Sequence, residues 1–181
     1  MPKLERLEWI SPLSEGKGVT LSDDPEADQL LAENPDALLL GVLYDSQFQT
    51  RRAFAIPLRL KMRLGFLDMP RLAAMDPVSL QEIFTQKPSL HRFPRKFASH
   101  TQNLAAFVTE QHGGDSARIW SESTSAEHLA QRILALPAFG TEKTDWTVGM
   151  LGIMGWLPFD GWQGYRVPPK VTRPRKKAPE A

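Results

Sequence analysis

The stretch Leu136-Pro137-Ala138-Phe139-Gly140-Thr141-Glu142-Lys143 constrains the chain more than any other. An apolar helical pattern precedes it (Leu129, Ile133, Leu136), and a nearly all-apolar run from Trp146 to Leu157 follows. Proline stops the first helix, Gly140 permits backbone angles that other residues resist, and Thr141 is placed to cap the second helix. The two segments are therefore helices joined by a short turn. The second one opens with free backbone N–H groups beside a glycine, which makes a ready anion site.

The rest of the chain reads as helix in the same way. Ser22-Asp23-Asp24-Pro25 starts a helix to about Ala32, and Asn34-Pro35-Asp36 starts another. That second helix carries Ala37 to Leu43, apolar almost without interruption, so it is expected to be buried on most sides. Thr50–Leu64 follows, with Pro57 expected to kink or break it and Gly65 to end it. A short helix is expected over Met69–Ala74. Another runs from Asp76-Pro77 to Gln86 with Val78, Leu80, Ile83 and Phe84 on one face. Lys87 to Pro94 is a loop. A long helix then runs to His112 with Phe97, Leu104, Phe107 and Val108 inward, ended by Gly113-Gly114. After a short helical turn over Asp115–Trp120, Thr124 to Glu127 fits a capping box that launches the first hairpin helix. No strand-like alternation is visible, and the expected class is all-α.

Residues 1–22 read as an irregular lead-in pinned by Trp9 and Ile10, residues 23–165 as the helical domain, and 166–181 as a basic tail. That tail has four prolines and few apolar groups, a composition of disordered segments. With 41% hydrophobic and 24% charged residues, the composition is that of an ordinary soluble globular chain. There is no apolar run of about 18 residues, and Met1 to Glu5 lacks the apolar core of a signal peptide. A cytoplasmic location is the expectation. The absence of cysteine excludes disulfides, zinc–thiolate sites and iron–sulfur clusters from these residues.

A net charge of +1 conceals strong segregation: residues 1–50 carry −7, 51–96 carry +7, 97–165 carry −4 and 166–181 carry +5. A basic centre and tail suit contact with phosphates, and they equally suit a solvated face. The four histidines have no metal-ligand spacing on one helix, and no metal site is expected. Trp146, Met150, Ile153 and Leu157 recur at helical spacing and read as core.

A family resemblance is carried by these residues. Leu136-Pro137-x-x-Gly140 followed by a helix is similar to the helix-hairpin-helix of the HhH-GPD superfamily, the base-excision DNA glycosylases related to endonuclease III. Asp160 lies 24 residues beyond Leu136, the spacing of that family's aspartate. Leu39 to Thr50 looks like the family's first core helix and following turn. Asn103 to Gly113 looks like the helix before the hairpin, so residues 24–165 are covered. The chain also resembles a cluster-free, uncharacterised bacterial subgroup with a His-Arg-Phe-Pro loop and a Pro-x-Phe-Gly hairpin.

The resemblance implies a helix-hairpin-helix glycosylase-like bundle, either as one body or as two small lobes with a cleft. It implies a DNA repair protein that flips a damaged or mismatched base of double-stranded DNA and cleaves its N-glycosidic bond. A monomer in the nucleoid is expected, with no required cofactor, although a monovalent cation at the hairpin is compatible. Asp160 would stabilise the oxocarbenium-like sugar; against this, Asp160-Gly161 is a common surface turn dipeptide. Bifunctional members carry a lysine two residues past the hairpin glycine. Here that position is Glu142 and Lys143 comes one later, a rotation of about 100° on a helix, so lyase chemistry is in doubt. Pro137, Ala138, Phe139, Gly140, Thr141 and Lys143 would meet the DNA backbone. Ala138 stands where the family has glycine, so a different or weaker turn is expected. Gln47 would fill the gap left by the flipped base, and Arg51, Arg52, Arg92, Arg95 and Lys96 would contact phosphates. A non-catalytic DNA-binding module on the same fold is the alternative.

Overall fold

A computed structural model describes residues 20–166. Most of the lead-in, with Trp9 and Ile10, and nearly all of the basic tail lie outside the described residues. Among the described residues there are nine α-helices and no β-strand, Thr20 contributing a single bridge residue. The helices are α1 (Pro25–Glu33), α2 (Pro35–Tyr44), α3 (Thr50–Leu64), α4 (Met69–Ala74), α5 (Pro77–Thr85), α6 (Pro94–His112), α7 (Ala117–Ser121), α8 (Ala126–Leu134) and α9 (Thr141–Ile153). A 3-10 turn, Trp162–Gly164, follows. None of the described helices is long and apolar enough to cross a membrane.

Helix α2 is the hub, because its apolar run has no polar side to turn outward. Every residue from Ala37 to Tyr44 is buried, and α1, α3, α6 and α9 all pack on it. Gly41 lets α3 come close: a Cβ there would sit 2.6 Å from the Phe54 ring. The long α6 packs on α2, α4 and α5, while α7 and α9 flank α8. The hairpin helices join the larger group where α9 meets α2, and the buried side chains of both groups form one hydrophobic core.

Capping follows the sequence at most helix starts. The side chains of Asp24, Asn34, Asp68 and Asp76 each accept a backbone N–H in the first turn, with proline beside them. Four local expectations are corrected. Helix α3 runs unbroken through Pro57; the cost of about 3 kcal/mol for an interior proline is offset by burial of Phe54, Ile56 and Leu60, worth about 1.5–3 kcal/mol each. Val78 is 63% exposed, since Leu80 and Phe84 are the buried residues of α5, with Ile83 partly buried against the core. The cap of α8 is Ser125, which accepts from His128 N, so the box from Thr124 to Glu127 does not form. Thr141 does not cap α9. It is the first helical residue, and the cap position is Gly140 with no side-chain hydrogen bond.

Candidate nucleic-acid interface

The hairpin turn is anchored from beneath and open above. Leu136 and Phe139 are buried, with 2% and 6% of their surfaces exposed, and Phe139 N donates to Leu136 O at 3.2 Å. Ala138, Gly140, Thr141 and Glu142 are exposed. The Phe139 side chain is thus a core anchor and offers the surface only its backbone. Thr144 N, the fourth donor of α9, reaches Gly140 O at 3.0 Å, and no side chain caps the three amides before it. Those amides point into the turn at the positive end of a 13-residue helix.

The left-handed residue of the turn is Ala138, with φ +63°, whereas Gly140 has φ −101° and ψ −172°, extended angles open to any residue. The alanine takes the left-handed geometry itself and bears its cost, about 1–2 kcal/mol. Replacing Ala138 with Gly is expected to raise stability by about 1 kcal/mol, or about 2–4 °C in Tm for a chain of this size. Thermal denaturation monitored by circular dichroism checks this. An unchanged or lower Tm counts against strain at Ala138. Around Gly140 itself there is open space, since a Cβ there would meet nothing within 4 Å.

Lys143 folds back beneath the turn. Its ammonium donates to Leu43 O at 3.1 Å, at the carbonyl end of α2, and to Ala138 O at 3.4 Å. Burial holds its pKa below the usual lysine value; Asp45 opposes the shift and Lys96 adds to it. The carboxylate brought to this face is Asp45, which is buried and accepts the Thr50 hydroxyl at 3.1 Å. Two residues on, Gln47 stands exposed at the apex of the turn between α2 and α3, with φ +51°. The structure therefore brings the hairpin turn, Lys143, Lys96 and the Gln47 turn onto one face around the end of α2.

Other predicted residues lie elsewhere or are engaged. Arg51 forms an ion pair with Asp23. Arg95 is exposed in the first turn of α6. Asp160 is exposed, and its neighbour Gly161 has φ +94° with its Cβ position 3.6 Å from Ala126, at the start of α8. Trp162 covers Gly152, eleven residues into α9, roughly 16 Å along the helix from Thr141. Asp160 thus sits toward the far end of the hairpin, away from its turn. Among the described residues no group of three His, Asp or Glu side chains is arranged to hold a metal ion.

One residue that the sequence reading set aside organises this face. His91 is 2% exposed, and its Nε2 donates to Tyr44 O at 3.0 Å while Nδ1 accepts from Phe93 N at 3.0 Å. It ties the 87–93 loop to the end of α2. Arg63 secures the other end of that loop, donating to Ile83 O, Gln86 O and Pro88 O at 2.7, 3.0 and 2.6 Å.

Neither a family model nor a curated protein matches the chain. Among solved structures it is similar to endonuclease III in a trapped covalent intermediate with DNA, at 16% identity and a TM-score of 0.47, over 66% of this chain and 53% of that one. It is also similar to endonuclease III in a non-covalent DNA complex, at 16% identity and a TM-score of 0.46, over 66% and 52%. The chain spans about half the length of the endonuclease III chains it matches.

Proposed function

We propose that this chain is a DNA-binding protein of the base-excision-repair type, gripping the sugar–phosphate backbone of duplex DNA at the hairpin turn. The observation that carries the reading is the exposed turn itself. Three uncapped amides open beside Gly140, with open space where a side chain would be. A phosphate oxygen placed there would satisfy donors that the protein leaves to solvent, at the favourable end of the α9 dipole. Lys143 steadies the turn from below through Ala138 O, so its role in this reading is to shape the grip.

The test is fluorescence anisotropy of the full chain with a labelled duplex across a salt series. Binding should weaken steeply with salt, log K falling linearly with log salt concentration at about 0.9 per neutralised phosphate. Absence of binding at low salt would remove the reading.

Excision of a flipped base is the second reading, resting on the family's spacing of Asp160 from Leu136 alone, since the fold sets Asp160 toward the far end of the hairpin from the turn. It predicts base release from duplexes carrying uracil, alkylpurine, 8-oxoguanine or an oxidised pyrimidine. Release should fall at least 100-fold in Asp160→Asn, the scale of losing one electrostatic stabiliser. Release undiminished by that substitution would take Asp160 out of the chemistry.

A further inference from the structure

Among the described helices of nine or more residues, two start without either of the usual complements to the positive end of the dipole. Helix α3 has Gln49 at its cap with no side-chain hydrogen bond and no acid in its first turn, and α6 starts at Phe93 with the same two lacks. The other five each have a capping side chain, an acid in the first turn, or both. Basic residues stand there instead, Arg51 and Arg52 in α3 and Arg95 and Lys96 in α6. Both starts open on one cleft of about 840 Å³, whose lining includes Gln49 and Pro94.

Three cations line this cleft, Arg52, Lys87 and Arg92, and no carboxylate does. None of the three has an acidic partner among the described residues. The acids near the start of α3 are engaged: Asp23 pairs with Arg51, and Asp45 is buried and accepts the Thr50 hydroxyl. The rings beside the cleft are covered as well. Phe48 has His91 against it at 4.5 Å and Arg52 over it at 5.1 Å, and Arg92 lies over Phe93 at 5.3 Å. The cleft therefore offers positive charge and N–H donors rather than a face on which a base could stack. A guanidinium laid on a ring keeps its N–H edge for oxygens, and that fork matches a phosphate. Like charges gathered around one opening repel each other unless an anion joins them.

We propose that this cleft holds a phosphate dianion, with Arg52, Lys87 and Arg92 around its oxygens and the starts of α3 and α6 behind them. A phosphodiester inside a strand brings one negative charge. A terminal phosphate brings nearly two, with three acceptor oxygens. Three cations and two uncomplemented helix dipoles match the second charge better than the first. Within the DNA-binding reading, on which this rests, the ligand is the terminal phosphate at a strand break. Free inorganic phosphate has the same chemistry.

The experiment titrates the full chain, by fluorescence anisotropy, with one nicked duplex whose break ends in phosphate or in hydroxyl, on the 5′ or the 3′ side. A phosphate end is expected to bind roughly fivefold tighter or more than its hydroxyl counterpart. That preference should vanish in the paired substitution Arg52→Gln with Arg92→Gln and shrink in Lys87→Gln. All three side chains are exposed, so these changes leave the core untouched. Phosphorus NMR supplies a second measurement. The resonance of the terminal phosphate, or of inorganic phosphate, should shift with the wild type and not with the arginine variant. Its titration should also move to lower pH on binding, because neighbouring cations favour the dianion.

Inorganic phosphate bound with the same arginine dependence, while the nicked duplexes show no preference, assigns the cleft to free phosphate. Equal binding of phosphate and hydroxyl ends with no shift of either resonance would overturn the proposal. So would an arginine variant that keeps the preference. Binding of polyglutamate with the same arginine dependence and no response to phosphate would overturn it in favour of an acidic protein partner. The two readings fail separately. If no duplex binds at low salt, the DNA reading falls and inorganic phosphate still tests the cleft. If Gly140→Asp weakens duplex binding while neither strand ends nor inorganic phosphate respond to the arginines, the hairpin reading stands and this one falls.

Discussion

Acidification from pH 7 to pH 4 is expected to remove about 2–3 kcal/mol of stability through His91 alone. Burial is the main reason that its pKa falls from 6.5 to about 4, and the charges of Lys143 and Lys96 push the same way against the Tyr44 carbonyl. The hydrogen bond at Nδ1 acts in the same sense as burial. Nδ1 accepts from Phe93 N–H, so a proton on Nδ1 would set two donors against each other. In the unfolded chain the same side chain takes its proton near pH 6.5. Between those values the unfolded state binds more protons than the native one, so stability is full above about 6.5. It falls as pH drops toward 4 and then levels off.

Other groups titrate in the same range. His100 and His112, lowered mainly by burial, act in the same direction. Asp28 and Asp36, raised mainly by burial, act in the opposite direction, since the native state holds their protons more tightly. Guanidinium denaturation of the wild type and His91→Gln at several pH values isolates the His91 part as a difference. Gln retains a donor for Tyr44 O. A variant that loses as much stability on acidification as the wild type would show that His91 is not the source.

The helices were legible because their signals are local. Prolines beside aspartate or asparagine caps start α1, α2, α4 and α5, and Gly65 and Gly113 end α3 and α6 in left-handed conformations. Pro57 misled because a breaker is also local, whereas the burial that overrides it comes from packing against α1 and α2. The turn at 136–143 was legible as a turn, but its conformations were assigned to the wrong residues. Glycine marks where left-handed angles are cheap; it does not require them, and Ala138 bears them while Gly140 stays extended.

The site was legible only in part, for the same reason. Counting 24 residues from Leu136 reaches Asp160 along the chain, but position in space depends on where the 154–162 segment runs. Trp156 stacks on Trp120 at 5.8 Å and Trp162 covers Gly152, which carries that segment along the far end of the hairpin. No spacing rule contains those contacts. Likewise nothing local distinguishes Arg51 from Arg52. Asp23 pairs with one and the Phe48 ring lies under the other, contacts that no local pattern contains. His91 could have been suspected from its position between Leu90 and Phe93 in a proline-bounded loop, since a histidine in an apolar setting is commonly tied down by both nitrogens.

Replacing Gly140 with Asp should move stability and DNA affinity in opposite directions. Gly140 is the cap residue of α9, its angles are open to any side chain, and a Cβ there meets nothing within 4 Å. An aspartate at such a position accepts the first-turn amides and complements the helix dipole, which stabilises by about 0.5–1.5 kcal/mol. The same carboxylate occupies the amides that a phosphate would need and adds negative charge beside it. Affinity for duplex DNA should therefore fall by at least tenfold at moderate salt, with a shallower salt dependence. Gly140→Ala, which adds a methyl group and no charge, should leave affinity within about threefold. A purely structural role for the turn predicts that affinity follows stability, so the more stable variant would bind as well as the wild type. Anisotropy titrations and thermal melts on the same three proteins decide between the two: an aspartate variant that melts higher and still binds normally places the DNA contact somewhere other than the α9 amides.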